Sequence, residues 1–131
     1  MEKTDFQVLD QLFREGKLKE AEQYLTTSME RMLRENDLPA LLAVTNELGG
    51  IFRVKGKFEE AKRIYFVALE IINKLGMENT VQHGTTLLNL ASVYTETDEP
   101  DEALKLDEKA EAIFRTAGLD QDYRMAALLN N

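Results

Sequence analysis

Apolar residues recur along this chain in steps of three and four, the spacing of one face of an α-helix. Val8 and Leu12 lead to Gly16; Leu48 and Phe52 lead to Gly56; Leu90 and Tyr94 lead to Asp98, each step four residues long. The hexamers beginning at Gly16, Gly56 and Asp98 all end on alanine, at Ala21, Ala61 and Ala103, and they align at offsets of 40 and 42 residues. Leu25, Tyr65 and Asp107 follow at one shared position, and the small residues Ser28, Ala68 and Ala110 at the next. Self-similarity at an offset of this size marks an array of repeated supersecondary units.

The punctuation between the apolar runs fits helix pairs. Gly16, Gly56, Gly76 and Gly118 follow helical runs, where a left-handed residue ends a helix, and Asn36 and Asp98 take the same place elsewhere. Pro100 falls in a first helical turn, where a missing N–H costs nothing. The pattern predicts seven helices, over 3–15, 18–35, 39–55, 58–75, 80–96, 99–117 and 122–131. The loops inside each pair are very short, so partners must lie antiparallel and adjacent. Ala21, Ala61 and Ala103 on the second helices, and Gly49 and Ala91 on the first, let backbones approach while Phe52, Phe58 and Tyr65 fill the space. The expected fold is all-α: antiparallel hairpins in a solenoid, with repeats over about 3–36, 39–76 and 80–118 in one domain of residues 1–131. Residues 122–131 would open a fourth unit or act as a capping helix.

Composition narrows the function. With 24 acidic against 16 basic residues the net charge is −8, which disfavours nucleic acid and an anionic membrane surface as partners. There is no cysteine, which removes disulfides and thiolate metal sites. No apolar run reaches the roughly 20 residues that span a bilayer, and Met1 to Asp5 has no signal-peptide core. A cytoplasmic location is the expectation.

Leu48-Gly49, Phe52, Gly56, Phe58, Ala61, Tyr65 and Ala68 in the second unit resemble the helix-pair pattern of the tetratricopeptide repeat family. Leu90-Ala91, Tyr94, Ala103 and Ala110 carry the resemblance in the third unit; Leu12, Gly16, Leu18 and Ala21 carry it in the first. The family's usual period is about 34 residues, so the longer units here are similar to its kinesin-light-chain-like branch. The Leu-Leu-Asn strings at 87–89 and 128–130 point the same way. The large aromatic at the start of the first helix is replaced by Thr45 and Leu87. The resemblance implies a right-handed superhelical array and a scaffold that binds protein or peptide, with no enzymatic activity and no cofactor.

It also implies a concave groove lined by the first helix of each pair. The positions carried over are Lys3, Phe6, Gln7, Asp10, Phe13 and Arg14; then Asn46, Glu47, Gly50, Arg53 and Val54; then Leu88, Asn89, Ser92, Thr95 and Glu96; then Asn130 and Asn131. Gln7, Asp10, Asn46, Gly50, Arg53, Asn89 and Ser92 are the candidate partner-binding residues. An Asn amide both donates to and accepts from a peptide backbone, and Arg53 suits a carboxylate. The family's basic clamp for a C-terminal carboxylate is not repeated, because Lys3, Arg14 and Arg53 are sparse and Asp10, Glu47 and Glu96 oppose them.

Little else carries chemistry. His83 is the sole histidine, it lacks neighbouring ligands for a metal, and it reads as a surface residue. Glu59-Glu60 and Asp98-Glu99 read as solvated complements to helix N-termini rather than paired acids and bases. Met29, Met32, Met77 and Met125 read as core or seam residues. The leading expectation is an interaction scaffold that captures a peptide or partner protein in its groove. The alternative is a regulatory, peptide-sensing helical-repeat domain of a longer signalling protein. An open repeat end would also favour a homodimer.

Overall fold

The computed structural model describes residues 3–118, with side chains from residue 7 onward. The expected helix over 122–131, with Met125, Asn130 and Asn131, lies outside the described residues. Six helices follow one another: α1 (Lys3–Arg14), α2 (Leu18–Glu35), α3 (Leu38–Val54), α4 (Phe58–Lys74), α5 (Val81–Glu96) and α6 (Pro100–Thr116). Each bound lies within one residue of the expected one.

The stops work as the sequence implies. Gly16, Gly56, Gly76 and Gly118 have positive φ, as do Asn36, Asn79 and Asp98. Five corners share one hydrogen-bond scheme: the N–H after the left-handed residue reaches back five residues, from Lys17 to Leu12, Asp37 to Met32, Lys57 to Phe52, Met77 to Ile72 and Glu99 to Tyr94. This satisfies carbonyls that the helix end would leave bare. Asp37 caps α3, its carboxylate accepting from the Ala40 N–H at 3.2 Å. Asp98 takes the left-handed corner, but no side chain caps α6 at its N-terminus.

The helices form an all-α solenoid. Each packs against its chain neighbours, and α3 also touches α5 directly. The first helices of the second and third hairpins are therefore flanked on several sides. Leu41, Leu42, Val44, Thr45 and Leu48 are all buried in α3, and Thr86, Leu87, Leu88, Leu90 and Ala91 in α5. The second helices bury one stripe only: Ala61, Tyr65, Ala68, Ile71 and Ile72 in α4, and Ala103, Ala110, Ile113 and Phe114 in α6. Met32 is buried, and Met29 and Met77 pack against the same cluster. Val8 departs from its repeat equivalents Leu48 and Leu90: it is 41% exposed, because α1 packs against α2 alone among the described elements.

His83 is a correction to the surface reading. It is only 8% exposed, because α5 is covered even in its first turn. Thr80 and His83 cap each other's neighbourhood. The Thr80 hydroxyl accepts from the His83 N–H at 3.3 Å, and His83 Nδ1 accepts from the Asn79 N–H at 3.0 Å. This is the reciprocal logic of a capping box with an imidazole in place of the usual carboxylate. Burial pushes the imidazole pKa down, and Lys109 pushes it the same way.

Candidate functional site

Along α3, Ala43, Asn46, Glu47, Gly50 and Arg53 are half-exposed, with Val54 exposed beyond them; the other half-exposed residues, Leu38 and Phe52, pack against the core. The spacing of three and four among the first five puts them on one stripe of a helix that is otherwise largely buried. The stripe is joined to α5 at two points. Thr86 Oγ1 donates to Asn46 Oδ1 at 3.1 Å, and Arg53 Nε pairs with Glu96 Oε1. The Asn46 amide also donates to the Leu42 carbonyl at 3.3 Å. Its oxygen thus holds α3 to α5, while its amide N–H is engaged by its own helix.

Tyr65 reaches this stripe from α4. A Cβ on Gly49 would lie 2.5 and 2.8 Å from two ring carbons of Tyr65, so the ring occupies the space where a side chain would otherwise stand. The hydroxyl emerges beneath Gly50, 4.0 Å from where that residue's Cβ would be. Burial pushes the phenol pKa up to about 12, with Arg53 and Glu47 near enough to act on it in opposite directions. Burial also pushes the Glu47 carboxyl up. Two adjacent glycines thus differ: a Cβ on Gly49 would strike the Tyr65 ring, whereas one on Gly50 would stand at ordinary contact distance from its hydroxyl.

The other carried-over residues are placed less alike. Asn89 is half-buried. Ser92 is 9% exposed, and its hydroxyl donates to the Leu88 carbonyl at 3.1 Å. Leu88 is buried beside Ile113 and Phe114, while Thr95 is exposed. On α1, Gln7 lines an open hollow with Val8, Gln11 and Leu12, and Asp10 pairs with Arg14 at 2.6 Å. Asn46, Gly50 and Arg53 are therefore brought together, with α5 tied to them through Thr86 and Glu96. Gln7 and Asp10 sit on a helix that touches only α2.

The seams between hairpins carry polar staples that the sequence reading missed. At the first seam Glu22 on α2 accepts from Lys55 at 2.5 Å, and Lys57 lies 3.8 Å from it. At the second, Lys62 on α4 donates to Glu99 at 2.6 Å and to Glu59 at 3.2 Å, with its ammonium 4.7 Å from the Tyr94 ring centre. Glu22 and Lys62 hold the same repeat position, as do Lys57 and Glu99. The staple is kept and its polarity reversed, a signal that aligning the units for charge would have revealed. An open depression of about 610 Å³ lies beside the first staple, lined by Lys19, Glu22, Gln23, Thr26, Thr27, Lys55 and Lys57. No helix among the described residues is long and apolar enough to cross a membrane.

Comparison with known proteins agrees with this architecture. Among solved structures, the crystal structure of BtubC (BKLC) from P. vanneervenii is similar, with a TM-score of 0.74 at 22% identity. The match covers 85% of this chain and 44% of that one, so the chain spans less than half of its neighbour's length. No curated protein matches. The family model described as Tetratricopeptide repeat covers residues 40–116, from α3 through α6. Such repeats generally mediate protein–protein interaction and are typically non-catalytic scaffolds. With that match over more than half of the sequence, beside helix hairpins stacked at the expected offsets, the chain belongs to the tetratricopeptide repeat family.

Proposed function

We propose that the chain is an interaction scaffold that captures a peptide segment of a partner protein along the stripe formed by α3 and α5. The observation that carries this reading is the stripe itself. Asn46, Glu47, Gly50 and Arg53, with Ala43 ahead of them, form one half-exposed stripe on a helix whose remaining residues are mostly buried or packed against the core, and the ties to Thr86 and Glu96 hold that stripe to α5. A groove preformed in this way loses little entropy on binding. Its mixture of amides, one cation and two carboxylates suits a peptide backbone with few charges.

Panning a randomised displayed peptide library against the chain tests the reading. Peptides that bind wild type should lose affinity to Arg53→Ala and to Asn89→Ala, while each variant's thermal midpoint stays within a few degrees of wild type. Undiminished binding to both variants would place the interface elsewhere on the molecule.

A further inference from the structure

We propose that the Tyr65 hydroxyl is a recognition point on the groove floor, donating to the backbone carbonyl of a peptide that crosses the chain at Gly50. The inference rests on the groove reading and adds to it the chemistry of the contact. Tyr65 is a second-helix residue, 2% exposed, in a position where Leu25 in the first hairpin is wholly apolar. Its ring is held in the slot left by Gly49, so the hydroxyl cannot swing away without displacing α3. The hydroxyl has no hydrogen-bond partner among the described residues. It lies 4.0 Å from the Cβ position of Gly50, a half-exposed residue of the stripe. A phenol in that position has a donor to give, and leaving it unmatched beneath a bound ligand would cost affinity.

The surroundings select the acceptor. With its pKa raised to about 12, Tyr65 stays protonated and is a standing donor. Glu47 and Arg53 lie one turn to either side of Gly50, and Glu96 pairs with Arg53. A ligand carboxylate would meet the charges of Glu47 and Glu96. An uncharged peptide unit would not: its carbonyl accepts from Tyr65 and its N–H faces the Glu47 carboxylate. Among the described residues beyond its own helix, only the Tyr65 hydroxyl, at 4.0 Å, comes within 4 Å of the Gly50 Cβ position, so a peptide backbone can come close over that residue.

The test uses a library-selected peptide that binds wild type, measured by titration calorimetry against Tyr65→Phe and Gly50→Ala. Tyr65→Phe keeps the ring in its slot and removes only the donor. It should leave the thermal midpoint unchanged and weaken binding about five- to tenfold. Gly50→Ala adds a methyl at an ordinary contact distance in a helix, so the fold is kept or strengthened. The methyl covers the hydroxyl, and binding should fall at least as far. Replacing one peptide amide by an ester, at each position in turn, weakens that carbonyl as an acceptor. One position should lose affinity for wild type and lose none for Tyr65→Phe. If both variants bind within twofold of wild type while Arg53→Ala and Asn89→Ala do not bind, the groove stands and the Tyr65 proposal is overturned. If binding is unchanged in all four, the groove reading itself fails. An affinity loss in Tyr65→Phe that couples only to an Asp or Glu side chain of the peptide would overturn the backbone-carbonyl assignment.

Discussion

The second and third hairpins solve the same packing problem at opposite ends. In α3/α4 the turn-proximal level pairs Gly49 with Tyr65, and the level far from the turn holds Leu42 and Ile72. In α5/α6 the same two levels hold Ala91 with Asp107, and Gly84 with Phe114. A Cβ on Gly84 would lie 2.5 Å from Phe114 Cε2, much as one on Gly49 would strike Tyr65. Each hairpin thus spends one glycine to admit one aromatic ring, but the third does so in the first turn of α5 rather than near the turn. The first hairpin uses neither device and has Leu9 and Leu25, both buried, at the turn-proximal level. The repeat specifies where two helices must meet, and the volume at each meeting point is shared out differently in each unit.

Substitution can break this comparison or confirm it. Gly84→Leu puts a branched side chain where the Phe114 ring already stands, and should cost about 3 kcal/mol, the upper range for overpacking a dense core. Adding Phe114→Ile recreates the Leu–Ile arrangement of the second hairpin and should recover most of the loss. Urea midpoints of the single and double variants measure this, and a double variant no more stable than Gly84→Leu would show that the two levels are not interchangeable. Gly49→Ala is the milder case. The methyl meets the Tyr65 ring, and better helix propensity offsets part of the strain, leaving a net loss of about 1 kcal/mol. Gly49→Ala with Tyr65→Leu moves towards the first hairpin's Leu–Leu pairing and should restore stability, again read from urea midpoints.

The seams extend the contrast to charge. Lys62 sits between Glu59, Glu99 and the Tyr94 ring, and the hydrogen bond it donates to Glu99 raises its pKa. Glu22, at the equivalent position, gathers lysines instead. Lys62→Ala should cost roughly 1 kcal/mol, a little above a lone surface ion pair because the cation–π contact goes too. Exchanging Lys62 and Glu99 for one another should regain most of that loss if the staple depends on pairing rather than on its polarity. Thermal midpoints at low salt would report it, and an exchanged variant as weak as Lys62→Ala would refute pairing as the cause.

The sequence was informative where local rules dominate. Helix bounds followed from Gly16, Asn36, Gly56, Gly76 and Asp98, because a left-handed stop is chosen by the residue itself. The shared small positions at Ala21, Ala61 and Ala103 implied the close helix approach. Exposure was harder to read. His83 and Leu88 look like surface or groove residues on a helical wheel, but α5 is packed against several neighbours and both are buried. Asn46 was legible as a stripe residue, although its bond to Thr86 depends on how two hairpins meet, which no spacing encodes. Tyr65 was legible as core. That its ring fills the place of a Gly49 side chain and its hydroxyl comes within 4.0 Å of a Cβ on Gly50 is a matter of three-dimensional depth.

Asp107 gives the finest division between the hairpins, since it stands where Tyr65 fills the second one. Its side chain is half-buried, and burial pushes the carboxyl above its ordinary value of 3.8. The fold therefore disfavours the charged form. The stability associated with this group is fully present below pH 3.8 and is lost as the pH rises through the raised folded value. Asp107→Asn removes the charge and keeps the shape, so it should stabilise the chain at neutral pH by about 0.5 kcal/mol or less, the carboxyl being partly solvated. The gain should shrink as the pH falls towards 3.8, where the wild-type carboxyl becomes neutral too. Urea midpoints of the two proteins at neutral and acid pH measure the difference. A gap that widened on acidification would mean the Asp107 carboxylate is stabilised in the fold, and that the third hairpin replaces the tyrosine with a favourable charge rather than tolerating one.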